Sequence, residues 1–173
     1  MPYARKLGEE FNSASTESLL IDYTRLFLGP SGILAKPYGS VWLEAQKTLM
    51  GDTTMAVLEL YREGGFDIDD AFLELPDHVA VELEFLYLLI FREYEASIEA
   101  DVERLNSVND LKSRFLDQHL GRWIKPFASA VRQGAESAFY RQLADLTELF
   151  VNREVDALQS TRPAPGITPA SFH

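Results

Sequence analysis

His78 stands four residues, one helical turn, before Glu82, with Asp77 directly ahead of it and Pro76 ahead of that. An imidazole and a carboxylate at this spacing share a helix face and make a titratable pair or two ligands for a metal ion. Two ligands are too few. The chain has no cysteine and three histidines, His173 ends the sequence, and neither His78 nor His119 sits in a His-x-x-x-His or Glu-x-x-His arrangement. The acidic run Phe66-Asp67-Ile68-Asp69-Asp70 lacks the sixth-position glycine and the full ligand alternation of a calcium loop. No phosphate-cradling GxxxxGK[ST] or GxGxxG loop occurs, and no nucleophile elbow. These residues favour binding over catalysis, with no cofactor and no metal expected.

The Pro76-Asp77-His78 stretch leads into the most apolar run of the chain, Phe85 to Phe91. Pro76 drives Leu75 out of the α region, so the helix carrying that run is expected to begin at Asp77. An aspartate there caps the orphan backbone N–H groups for ~1 kcal/mol. Capping leaves the imidazole unexplained, because the positive end of the helix dipole disfavours a charged ring. A purely capping role and a binding role both stand at this point. His119 and Trp123, four residues apart on one face, read as packing residues.

The elements that must position these groups are helices. Ser15 or Thr16 begins one with Leu19, Leu20, Tyr23, Leu26 and Phe27 on its apolar face, ended by Gly29-Pro30. The glycine- and proline-rich GPSGILAKPYG segment is a structured loop, after which Ser40 caps a short helix with Val41, Trp42 and Leu43. Asp52 or Thr53 opens the next, closed by Gly64-Gly65. The helix after Pro76 is apolar nearly all round from Phe85 to Phe91 and is expected at the centre. Ser107 with Asp110 resembles a capping box for a helix bearing Leu116, His119, Leu120 and Trp123 and ending near Lys125-Pro126. Phe127 and Val131 start a further element, and a last amphipathic helix follows Gly134 to about Leu158.

Alternating strand patterns and hairpin turns are scarce, so the fold class is all-α, a single-domain helical bundle with a buried central helix. The domain is expected over 16–158, between a flexible N-terminal segment (1–15) and a flexible Pro-rich tail (159–173). Lys and Arg total 16 against 27 Asp and Glu, a net charge of -11. That charge opposes nucleic acid and favours a basic partner, or simply keeps the chain soluble. The absence of cysteine fits a reducing cytoplasm, and neither an export signal nor an apolar run of membrane-spanning length is visible.

Three blocks, taken in order, resemble a known family. They are Leu26-Phe27-Leu28-Gly29-Pro30 with Pro37-Tyr38-Gly39-Ser40-Val41-Trp42; Leu75-Pro76-Asp77-His78 with Glu82-Leu83-Glu84-Phe85; and Phe115 to Trp123 with Pro126-Phe127. Together they are similar to the TorD/DmsD/NarJ family of cytoplasmic maturation chaperones for molybdenum-cofactor oxidoreductases. The resemblance implies an all-helical domain that binds the twin-arginine signal peptide, or a related N-terminal segment, of the apo catalytic subunit. It also implies help with cofactor insertion and delayed export. By matching, it places Pro76, Asp77 and His78 at the peptide groove, with Tyr38 and Trp42 as neighbouring aromatic contacts. Asp77, Glu82 and Glu84 are the expected carboxylates for the arginines. A generic helical peptide-binding adaptor is the alternative, and after it a nucleotide-dependent enzyme, since weak guanine-nucleotide binding is associated with parts of the family. Which oxidoreductase supplies that subunit, and the choice between a monomer and a domain-swapped dimer, stay open at this level.

Overall fold

A computed structural model describes residues 2–29, 32–44, 51–68 and 73–161. The order is α1 (Pro2–Ser13), α2 (Thr16–Tyr23) continuing as a π-helical turn (Thr24–Leu28), α3 (Gly39–Leu43), α4 (Asp52–Glu63), α5 (Val79–Ile98), α6 (Val102–Gln118), α7 (Leu120–Gly134) and α8 (Ala138–Thr161). Among the described residues the only extended pairing is one isolated antiparallel bridge, Tyr38 to His78. The all-α expectation therefore holds. No helix among them is long and apolar enough to cross a membrane.

The core forms where α5, α6 and α7 meet, around Phe85, Leu86, Leu89, Phe115, Leu116, Trp123 and Ile124. Phe85 packs edge-to-face on both Tyr61 and Phe115. Lys112 is buried and bonds Glu93 and Glu154, tying α6 to α5 and α8 through a paired charge that would be costly alone. At the other end of α8, Asp22 of α2 accepts from the backbone N–H of Glu136 and Ser137, 3.1 and 2.8 Å away. Arg25 pairs with the same carboxylate.

Several boundaries differ from expectation. The stretch expected to be flexible at the N-terminus is helical over Pro2–Ser13 and lies along α8, with Phe11 against Phe139 at 5.5 Å. The bundle extends to Thr161, and the tail beyond it lies outside the described residues, as do Asp69 and Asp70. Ser15 does cap α2, accepting from the Ser18 N–H. Ser107 and Asp110 do not start a helix. Asp101 does, accepting from Arg104 N–H at 3.0 Å, and α6 runs straight through Ser107.

The predicted stop at Lys125-Pro126 lies instead at His119, where φ is -126° and ψ -109°. Gly121 permits this sharp turn: a Cβ there would meet the Leu116 carbonyl oxygen at 2.5 Å. Pro126 lies on the exposed outside of α7 and leaves the helix intact; the carbonyl it orphans belongs to Arg122, itself exposed, so water can serve as its partner.

Candidate functional site

The Pro76-Asp77-His78 turn divides its side chains between inside and outside. His78, not Asp77, is the N-cap of α5: its Nδ1 accepts from the Ala80 N–H at 3.1 Å. Such a cap requires a bare ring nitrogen, which puts the proton of the neutral imidazole on Nε2. Burial lowers the His78 pKa below its usual value, against the opposing pull of Glu74 and Asp77. The puzzle of an imidazole at the positive end of a helix resolves here, since the neutral ring is itself the acceptor.

Asp77 turns inward and caps a different helix. It is only 1% exposed, and its Oδ2 accepts from Ser40 N–H at 2.8 Å while its backbone oxygen accepts from Gly39 N–H at 2.8 Å. Ser40, expected to cap α3, therefore lies inside the helix and has its own N–H satisfied from a position 37 residues away. Val79 N–H donating to the Pro37 carbonyl completes the clamp. Glu82 is fully buried as well, accepting from Trp123 Nε1 at 3.0 Å. Burial raises its pKa well above the ordinary value, outweighing the lowering effect of Trp123. Gly39 lies tightly against this pair: a Cβ there would stand 3.0 Å from both Glu82 Oε1 and Trp123 Nε1, which would have to give way.

His119 belongs to the same buried zone. Burial holds its pKa down to about 4, although Asp77 pulls it up. Asp77 Oδ1, Glu82 Oε1, Ser40 Oγ and His119 Nε2 have no hydrogen-bond partner among the described residues.

Outside the clamp lies an apolar cleft of about 210 Å³. One wall is the π-helical turn with Phe27 and Leu28; α5 contributes Val79 and Leu83; α7 and α8 form the floor with Phe127, Val131, Tyr140 and Leu143. Its polar rim is Tyr38, Glu74 and His78. Tyr38 donates to Glu74 Oε2 at 2.6 Å and meets the His78 ring edge-on at 5.4 Å. Burial, followed by the bond to Glu74, pushes the Tyr38 hydroxyl up to about 12. The rim therefore presents one carboxylate and two uncharged rings at neutral pH, while the walls are almost wholly apolar.

Of the residues singled out from the sequence, Tyr38 and His78 meet at the cleft. Asp77 and Glu82 lie beneath it, in contact with neither bulk water nor the opening, and Glu84 is exposed outside it. Pro76 contributes its carbonyl to the Tyr61 hydroxyl at 2.9 Å, and Trp42 donates to the Lys36 carbonyl at 2.9 Å while packing on the core. Neither lines the cleft. Sequence reasoning missed Glu74, Phe27 and Tyr140. Glu74 had one available signal, a carboxylate two residues before the Pro-Asp-His turn; Phe27 and Tyr140, from two separated segments, had none.

Residues 2–129 match the family model described as nitrate reductase delta subunit. The chain is 32% identical over 139 residues to the Tat proofreading chaperone DmsD of Salmonella typhimurium, an alignment covering 80% of this chain and 61% of the relative. It is 28% identical over 159 residues to the chaperone protein TorD of Shewanella loihica, covering 88% and 67%. With the chaperone protein TorD of Vibrio parahaemolyticus the identity is 32% over 144 residues, covering 82% and 64%. The chain thus spans about three fifths of the length of the DmsD relatives it matches. The family match takes in α1 to α6 and the first part of α7, whereas the Tyr140 and Leu143 part of the cleft floor lies beyond it.

Proposed function

The chain belongs to the nitrate reductase delta subunit family, which is the TorD/DmsD/NarJ family, and from that premise we propose that it is a cytoplasmic maturation chaperone for a molybdenum-cofactor oxidoreductase. Its ligand is the twin-arginine leader, or a related N-terminal segment, of the apo catalytic subunit. The leader is held until the cofactor is inserted and is kept from export meanwhile. The protein works by binding and performs no chemistry of its own.

The observation that carries this reading is the join of an apolar cleft to a single-signed rim. Burying the apolar residues of a leader against Phe27, Leu83, Phe127 and Tyr140 yields roughly 25 cal/mol per Å² removed from water. Glu74 offers its carboxylate to an arginine, and a charge-assisted bond of that kind is the strong type. His78 stays uncharged at neutral pH, so it does not repel the incoming cation. Asp77, Glu82 and Gly39 act as positioning residues: Asp77 ties α3 to the head of α5, Glu82 ties α5 to α7 and Gly39 packs against that pair, which together set Tyr38 beside Glu74 and His78. The long-range field of a chain with net charge -11 steers a basic peptide toward it.

Titration calorimetry with a synthetic peptide of two adjacent arginines and a following apolar stretch tests the reading. Glu74→Gln is expected to weaken binding about tenfold or more, in line with ~1.5–3 kcal/mol for a hydrogen bond to a charged group. Affinity is also expected to fall as pH drops below 6.5, because protonated His78 repels the arginines and loses its cap. Unchanged affinity in both experiments removes the cleft as the site. Purification of the protein from its native cell with no molybdoenzyme subunit attached removes the client assignment.

A further inference from the structure

The outer face of α5 carries an apolar track that no other described residue covers. Tyr87, Phe91, Tyr94 and Ile98 are 67%, 46%, 63% and 66% exposed. At ~100° per residue they fall within about 60° of one another, on a single helix face. Tyr87 and Phe91 stack with ring centroids 6.4 Å apart. Val102, the first residue of α6, is also exposed just past the turn. Single exposed hydrophobics need no explanation, but four on one helix face mark a contact surface.

Two observations specify what would cover it. The first is continuity with the cleft. Val79 and Leu83 line the cleft, and each following step of one turn along α5 leads from Leu83 to Tyr87 and from Tyr87 to Phe91. Cleft and track are thus one row of apolar side chains along a helix of 20 residues, ~30 Å from end to end. A ligand leaving the cleft along α5 encounters aromatic and aliphatic groups for the rest of the helix.

The second is charge. Glu84 and Glu95 flank the row on one shoulder, with Glu99, Asp101 and Glu103 around its far end. Of nearby cations, Arg104 is engaged by Glu95 at 2.9 Å and Glu99 at 3.0 Å, and Arg92 is turned back onto the Gly64 carbonyl. A second copy of this chain would bring the same acidic border against it and be repelled. A segment that is apolar along one side and carries basic or no charge at its borders is favoured.

The geometry points to the outer face of α5 as the second half of the ligand track: the leader's arginines bind at Glu74, its first apolar residues fill the cleft, and the rest of its apolar stretch lies as a helix over Tyr87, Phe91, Tyr94 and Ile98. This inference rests on reading the cleft as the leader site. A helical apolar stretch of about twenty residues has the same ~30 Å length as α5. Helix-on-helix docking through aromatic anchors is an established mode of peptide recognition.

Two fluorescein-labelled probes test it by anisotropy. The long one has two adjacent arginines and about twenty Leu/Ala-rich residues, and the short one is cut after about the fifth apolar residue. Tyr87→Ser combined with Tyr94→Ser is expected to weaken the long probe about tenfold or more and leave the short probe within twofold, with the circular dichroism melt unchanged. Glu74→Gln is expected to weaken both. If the double variant binds the long probe as tightly as the parent while Glu74→Gln still weakens both, the track inference is overturned and the cleft reading stands. If Glu74→Gln and Tyr38→Ala leave both probes bound as before, the cleft reading fails and takes the track with it. If the double variant alters only the sedimentation coefficient, separating a dimer into monomers, the face pairs two copies and the inference is likewise overturned.

Discussion

The two ends of α5 depart from the usual partition of polar and apolar side chains in opposite senses. At its start, Asp77 and Glu82 are removed from water with His119, Ser40 and Trp123 around them. Over its last three turns, Tyr87, Phe91, Tyr94 and Ile98 stand in solvent. Burying acids and exposing aromatics both raise the free energy of the isolated chain. The buried end returns something within the fold, since Asp77 satisfies the start of α3 and Glu82 takes the Trp123 N–H. The exposed end packs on little else among the described residues. The first is therefore architecture for the cleft, and the second is the surface we propose for the apolar part of the leader.

Removing the architecture should produce the largest effect. Asp77→Ala leaves the Ser40 N–H without its acceptor in a buried site and should cost about 2–4 kcal/mol. For a chain of this size that corresponds to roughly 5–15 °C in the melting temperature, followed by circular dichroism. A loss of only a degree or two would show that Asp77 does not anchor α3, and would erase the contrast between the two ends.

A smaller effect follows from pH. Burial raises the Glu82 pKa, so the folded protein keeps a proton that the unfolded chain releases. Its stabilising contribution is complete below the ordinary value of 4.5 and is lost as pH climbs toward the raised one. His119 acts on the other limb: with its pKa lowered from 6.5 to about 4, stability is complete above 6.5 and declines as pH falls toward 4. Glu82→Gln keeps an acceptor for Trp123 and removes the ionisation. It should raise the unfolding free energy measured in guanidinium at pH 8 by about 1 kcal/mol, and flatten the decline above pH 5 while leaving the acid limb in place. A variant with an unaltered alkaline limb would refute the assignment of that limb to Glu82.

The exposed end should respond least. Tyr94→Ser is expected to change stability by no more than about 0.5 kcal/mol, as for surface positions generally. A loss several times larger would mean that the track is packed in solution, by the chain itself or by a second copy.

Much of the fold was legible in the chain. The 3.6-residue periodicity of the apolar side chains, Ser15 before α2, Gly64-Gly65 after α4 and the lack of strand patterns all report local physics, and local physics does not depend on partners. Boundaries at which two local signals competed were not legible. Ser107 with Asp110 satisfied the capping pattern, but Asp101 offered an equally good carboxylate six residues earlier and the helix began there. Lys125-Pro126 looked like a stop, but the proline faces solvent, and the chain turned where Gly121 let the Leu116 carbonyl approach.

The candidate site divides along the same line. By itself the sequence determined that a proline, an acid and an imidazole would stand at the head of an apolar helix in an acidic, cysteine-free chain, because residue type and order fix charge, capping chemistry and periodicity. Which of those side chains would face the cleft was decided only by tertiary structure. Adjacent residues in an extended turn point to opposite sides, so Asp77 reached Ser40 inside while His78 met Tyr38 and Glu74 at the rim. The cleft itself exists only because the π-helical turn, α5, α7 and α8 converge from separate parts of the chain.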